Sequence, residues 1–87
     1  LCHYEIPWNI VTKYNGFSDR RVIDMFVKYA TTCMKRYKDK VKYWLTFNEI
    51  NCIEMSPWME GGVLTKDKQT MINMAHYQFV ASAKVVK

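Results

Sequence analysis

Tyr43-Trp44-Leu45-Thr46-Phe47-Asn48-Glu49 is a nearly unbroken run of aromatic, branched and apolar side chains that stops abruptly on an amide and a carboxylate. Parallel strands covered on both faces look like this, whereas half-exposed strands alternate apolar with polar. Val41 to Phe47 therefore reads as a strand, set off from what precedes it by Lys38-Asp39-Lys40. Upstream of that break, Val22, Ile23, Phe26, Val27, Ala30, Cys33, Met34 and Tyr37 recur at helical spacing. Ser18 stands where an N-cap is wanted, with Asp19 at the end of the helix dipole that favours negative charge. Further out, Leu1 to about Tyr4 reads as the end of another strand, followed by a loop marked by Pro7 and Asn15-Gly16. On the other side, a loop with Pro57 and Gly61-Gly62 leads to Thr65 or Asp67 as a cap. Met71, Met74, Ala75, Gln78, Phe79, Ser82, Val85 and Val86 then outline a last helix, its apolar face diluted by Gln78 and Ser82.

The order is β-α-β-α, which places the chain in the α/β class with parallel strands and right-handed crossovers. Such a unit leaves both strands as apolar edges and closes no core of its own. Residues 1–87 are accordingly expected to be a part of a domain, and a quarter of a (β/α)8 barrel fits. Two other α/β folds could hold the same unit. The ends agree with a part: Leu1 opens directly on an apolar run, and the last helical pattern reaches Lys87 without Gly or Pro.

Composition narrows the function. A hydrophobic content of 49% and an aromatic content of 15% exclude disorder. The net charge of +5 invites a nucleic-acid partner, but Lys35, Arg36, Lys38, Lys40 and Lys42 are interrupted by Tyr37, Asp39 and Val41. That is the pattern of a solvated helix end running into a strand, with cations placed to complement the helix dipole. No nucleic-acid motif accompanies the charge, and no apolar run approaches membrane-spanning length. Cys2, Cys33 and Cys52 are odd in number and match no metal-ligand spacing. Three thiols in no disulfide pattern suit a reducing, cytoplasmic compartment. A metal held by His3, Glu5, Glu49 and Cys52 has no spacing to support it, and no cofactor is expected.

The chemistry of an α/β barrel belongs at the C-terminal ends of its strands. Two stretches qualify, Leu1-Cys2-His3-Tyr4-Glu5 and Thr46-Phe47-Asn48-Glu49-Ile50-Asn51. A carboxylate at the end of a buried strand is costly unless paired, hydrated or functional. Glu49 by itself reads either as a catalytic group or as a solvated loop residue or helix cap. Asn48 beside it offers both a donor and an acceptor for a substrate hydroxyl. His3, taken alone, reads as a hydrogen-bonded structural residue. Trp44 reads as core, Trp58 as a residue of either packing or sugar stacking, and the six Met residues as core filler.

Leu1-Cys2-His3-Tyr4-Glu5-Ile6-Pro7 followed by Thr46-Phe47-Asn48-Glu49 resembles two strand-end motifs of glycoside hydrolase family one. Between them, Asn15-Gly16-Phe17-Ser18-Asp19-Arg20 is similar to the glycine–aromatic–x–Asn/Asp–Arg segment before that family's third barrel helix. Arg36 to Trp44 is similar to the approach to its fourth strand. The likeness covers the whole chain in order and implies the third and fourth β/α units of a retaining β-glycosidase. It further implies that Glu49 is the general acid/base, that Asn48 binds the sugar 2-hydroxyl and that His3 bonds hydroxyls of the nonreducing sugar. The nucleophile of the family lies in a Thr-Glu-Asn-Gly-type motif, which these residues lack, so the chain alone is expected to be inert. Glu54 and Glu60 match nothing in that pattern. Where most β-glucosidases have Pro after the catalytic Glu, this chain has Ile50-Asn51, and Asn-Glu-Ile-Asn resembles the bacterial 6-phospho-β-glucosidases. The implied partners are a phosphorylated or plain β-glucoside and the remainder of the barrel. The rival expectation is a non-catalytic fragment that forms homo-oligomers through its exposed strand edges.

Overall fold

The computed structural model describes residues 1–52, 57–64 and 67–86. Glu54 and Thr65 lie outside them, as do the side chains of Cys52 and Glu60. Four α-helices organise the described chain: α1 (Trp8–Tyr14), α2 (Arg21–Tyr37), α3 (Pro57–Gly61) and α4 (Lys68–Val86).

The long helix α2 forms where the apolar spacing places it. Val22, Ile23, Phe26 and Ala30 are buried on one face, while Lys35 and Arg36 in the last turn stay exposed. Its N-terminus is held differently from the expectation. Ser18 donates to the Asn15 carbonyl at 2.7 Å, closing a 3-10 turn over Gly16–Ser18, and so does not cap the helix. Asp19 takes that role: its Oδ1 accepts from the Arg21 backbone N–H at 2.8 Å, and its Oδ2 meets the Arg21 guanidinium at 2.7 Å. These bonds to Arg21 hold the Asp19 carboxyl below the ordinary carboxylate range. At α4, Asp67 caps as expected, accepting from the backbone N–H of Thr70 at 3.0 Å and from its hydroxyl.

Buried Met74, Gln78 and Ala81 turn α4 onto α2. Phe79 and Val86, expected on that face, are instead 61% and 78% exposed, because the face that packs is the one carrying Met74, the polar Gln78 and Ala81. Lys84 and Asp24 add an exposed ion pair across the helices at 3.7 Å, a contact of little energetic weight.

α1 occupies what reads as a loop. Pro7 precedes it with φ −54°, the value that starts a helix well, and Val11 is its buried anchor. Asn15 ends it in the left-handed region at φ 53°, and Gly16 follows at φ 60°. Gly16 is there for a second reason. A Cβ on it would lie 2.0 Å from the Gly61 carbonyl oxygen and 2.5 Å from the Gly62 carbonyl carbon. Two turns thus cross backbone to backbone, and Asn15 Oδ1 ties them by accepting from the Leu64 N–H at 2.9 Å.

The two expected strands are reduced to one parallel bridge, Cys2 with Phe47, and no longer strand is present among the described residues. Cys2 N–H donates to the Thr46 carbonyl at 2.9 Å and Asn48 N–H to the Cys2 carbonyl at 3.1 Å. The Leu1 nitrogen extends the pairing to the Leu45 carbonyl at 2.6 Å. The run 41–47 is covered on one face only. Trp44, Thr46 and Phe47 are half-buried, while Tyr43 and Leu45 are each 82% exposed. A ladder needs partners on its open edge, and these residues find none in the described chain.

Candidate active site

The bridge decides where Asn48 and Glu49 stand. Phe47 stacks on Phe26 of α2 with centroids 4.5 Å apart and meets Phe17 edge-on at 5.3 Å. One residue back, the Thr46 hydroxyl bonds the Ser82 hydroxyl of α4 at 2.7 Å. The chain therefore leaves the core at Phe47 from a fixed point, with Asn48 half-buried and Glu49 exposed just beyond it.

Across the bridge, Tyr4 comes alongside. Its hydroxyl donates to Glu49 Oε2 at 2.9 Å and accepts from Asn48 Nδ2 at 2.7 Å. A phenol has one proton and two lone pairs, so this assignment of roles is the one the three groups can satisfy together. Tyr4 has φ 79° and Glu49 φ 47°, both in the left-handed region where side chains larger than Asn are uncommon. His3 is exposed and reaches the group through its ring, edge-on to Tyr4 with centroids 4.7 Å apart.

Of the three residues singled out in the sequence, Asn48 and Glu49 are thus joined through a common partner, and His3 borders them. Tyr4 is the residue sequence reasoning passed over. Nothing in the sequence around Tyr4 marks its hydroxyl, which becomes informative only once the parallel register sets it opposite Asn48-Glu49. The arrangement presents one carboxylate with an oxygen, Oε1, that makes no hydrogen bond among the described residues, an amide joined to it through the Tyr4 hydroxyl, and an imidazole against the Tyr4 ring. That set can exchange a proton with, and bind the hydroxyls of, a polar ligand.

Other features offer less chemistry. Trp8 and Trp58 meet edge-on at 6.1 Å and stand exposed, and Trp44 is half-buried, not a core residue. A cavity of about 250 Å³ between α2 and the first residues is lined mainly by apolar groups such as Ile6, Ile10, Phe17 and Met25, and holds neither Asn48 nor Glu49. Among the described residues, no three His, Cys, Asp or Glu side chains converge on a metal position, and no helix is long and apolar enough to cross a membrane.

Comparison of the sequence with known proteins matches the chain to a family. The chain is 47% identical to a 6-phospho-β-glucosidase of Clostridium longisporum over its full length. It is 46% identical, again over its full length, to a 6-phospho-β-glucosidase of Dickeya chrysanthemi. To an aryl-phospho-β-D-glucosidase of Bacillus subtilis (strain 168) it is 45% identical over its full length. In each case it spans 19% of the relative's own length. The family model for glycosyl hydrolase family 1 matches residues 1–87, from the His3 strand end through Asn48-Glu49 to the last helix, and the chain belongs to that family.

Proposed function

We propose that this chain is the segment of a retaining β-glycosidase that carries its general acid/base, Glu49, and that the whole enzyme hydrolyses 6-phospho-β-glucosides. Family membership implies a (β/α)8 barrel. In that barrel Leu1–Tyr4 and Val41–Phe47 would be the third and fourth strands, extended from the single Cys2–Phe47 bridge once neighbours cover their open edges. The observation that carries the chemical reading is the grouping of Asn48 and Glu49 at the end of that bridge, with Oε1 making no hydrogen bond among the described residues. Glu49 would protonate the departing glycosidic oxygen and then deprotonate the incoming water. Asn48 would hold the sugar 2-hydroxyl, a contact that strengthens in the transition state, and His3 the hydroxyls of the nonreducing sugar.

A retaining enzyme needs a second carboxylate about 5–5.5 Å from the first. No Thr-Glu-Asn-Gly-type motif occurs in these 87 residues, so the nucleophile must come from elsewhere in the protein and the 87-residue chain alone is inert. The phosphorylated substrate is supported by Asn48-Glu49-Ile50-Asn51 and by the names of the relatives. A cytoplasmic site of action fits three cysteines in no pairing pattern.

The test is direct. In the full-length enzyme, Glu49→Gln should lower kcat on a glycoside with a poor leaving group by about 10²–10⁴-fold. The unaltered enzyme should cleave a chromogenic 6-phospho-β-glucoside far faster than its unphosphorylated counterpart. Equal rates would return the substrate to a plain β-glucoside, and an undamaged Glu49→Gln would remove the acid/base assignment.

A second reading draws on Tyr43 and Leu45, each 82% exposed on an open edge. Copies of the isolated 87-residue chain would pair there and run as oligomers. Sedimentation at the 10.4 kDa monomer mass would exclude this.

A further inference from the structure

Tyr4 is the one described residue whose side chain bonds both Asn48 and Glu49. We propose that Tyr4 is the positioning residue of the acid/base. Its hydroxyl, anchored by Asn48 Nδ2 at 2.7 Å, holds Glu49 Oε2 at 2.9 Å and so reserves Oε1 as the oxygen that carries the proton. The inference rests on Glu49 being the acid/base, and deepens that reading.

The geometry supports it in three ways. The hydrogen-bond polarity is fixed, since Asn48 Nδ2 can only donate and the phenol's single proton is left for the carboxyl group. That bond persists in both protonation states, because Oε2 accepts as a carboxylate oxygen or as the carbonyl oxygen of the neutral acid. Glu49 is otherwise an exposed side chain with no other bond from the described residues to choose among its rotamers. The third support is in the backbone. Positive φ at non-glycine residues occurs at three places among the described residues, and two of them are Tyr4 and Glu49, the two partners of this bond. Unfavourable backbone conformations of this kind persist where surrounding contacts over-determine them, and they gather at functional sites.

In the first step the proton leaves Oε1 for the glycosidic oxygen. The bonding pair of the breaking C–O bond goes to that oxygen, and the anomeric carbon is taken by the nucleophile from the rest of the protein. In the second step Oε1 takes a proton back from water, the water oxygen bonds the anomeric carbon, and the pair of the breaking carbon–nucleophile bond returns to the nucleophile's carboxylate. Tyr4 gives up no proton in either step and touches no sugar atom.

The experiment measures kcat/KM in the full-length enzyme for aryl 6-phospho-β-glucosides whose leaving phenols span a wide range of acidity. A good leaving group needs no acid, so loss of acid positioning shows only where the phenol is a poor one. Glu49→Gln should be crippled on the poorest phenols, by about 10²–10⁴-fold, and nearly intact on the most acidic. Tyr4→Phe should follow the same slope at smaller amplitude, about tenfold on the poorest and under twofold on the best. If Tyr4→Phe loses activity evenly across the series while Glu49→Gln keeps its slope, the positioning role falls and the acid/base assignment stands. If Glu49→Gln itself shows no slope, both fall. Should Tyr4→Phe fail to fold, 3-fluorotyrosine inserted at position 4 keeps the ring and strengthens the donor. It should alter the leaving-group slope at unchanged melting temperature, and an unaltered slope would overturn the proposal.

Discussion

Two regions of this molecule place backbone in the left-handed region, and they do so with opposite residue choices. At the crossing of the Asn15-Gly16 and Gly61-Gly62 turns, the positive-φ positions are Asn15, Gly16 and Gly62, the residue types that tolerate it. The crossing is buried and its closeness leaves no room for a Cβ on Gly16. At the strand ends, the positive-φ positions are Tyr4 and Glu49, which tolerate it poorly, and Glu49 is exposed. Where the fold alone sets the requirement, the sequence meets it with the suitable residue. Where it does not, the chemical role proposed for Glu49 and Tyr4 would outweigh the backbone preference.

The largest effect expected from this contrast is at the crossing. Gly16→Ala adds a Cβ into the Gly61 carbonyl and an alanine at φ 60°, and should cost on the order of 3–5 kcal/mol, read by chemical denaturation. That is a large fraction of a domain's stability. A loss below about 1 kcal/mol would mean the turns can separate cheaply, and the contrast would lose one of its sides.

Acid probes the helical side more gently. Asp19 is held below its ordinary value chiefly by the Arg21 side chain, and Asp67 by Thr70. A depressed carboxyl pKa contributes stability that is complete above the unfolded value near 3.8 and is lost as pH falls through the lower folded values. Helix content by circular dichroism should therefore hold at pH 5 and decline below about 4. Asp19→Ala should cost about 1 kcal/mol at neutral pH and flatten that acid response. An acid response unchanged by the substitution would locate its source outside the α2 N-terminus.

The smallest expected change sits at the strand ends. Glu49→Gly relieves an unfavourable φ and gives up one exposed hydrogen bond, so stability should move by less than about 1 kcal/mol in either direction. The same substitution removes the proposed proton carrier. A destabilisation of several kcal/mol would show that Glu49 is held there for packing, and the chemical demand at the strand ends would lose its support.

What can be read in the sequence follows from how locally each element is decided. Helix α2 is legible because its apolar face repeats over four turns and more, enough for periodicity to dominate. Helix α1, with seven residues, is too short to show a period, and its Pro7 and Asn15 boundaries read equally well as loop punctuation. In α4 the buried face includes Gln78 and leaves Phe79 and Val86 outside, so residue polarity alone misassigns both of these apolar positions. The strands are legible as a tendency, yet extended backbone needs a neighbour's N–H and C=O groups, and among the described residues Leu1 and Cys2 find them only across from Leu45, Thr46 and Asn48. The site divides the same way. His3, Asn48 and Glu49 can be named from motifs, whereas the bonds on which Tyr4's proposed role rests arise only through the register of Cys2 on Phe47.

The stack of Phe47 on Phe26 has one more consequence, for laboratory evolution. Phe47 is covalently next to Asn48, so its ring acts as a lever whose far end carries the amide and the carboxylate. Reshaping Phe17 or Phe26, neither of which bonds Asn48 or Glu49, tilts that lever. If the whole enzyme is the glycosidase proposed above, selection for new leaving-group preference should therefore return substitutions inside this aromatic trio as well as at the strand ends.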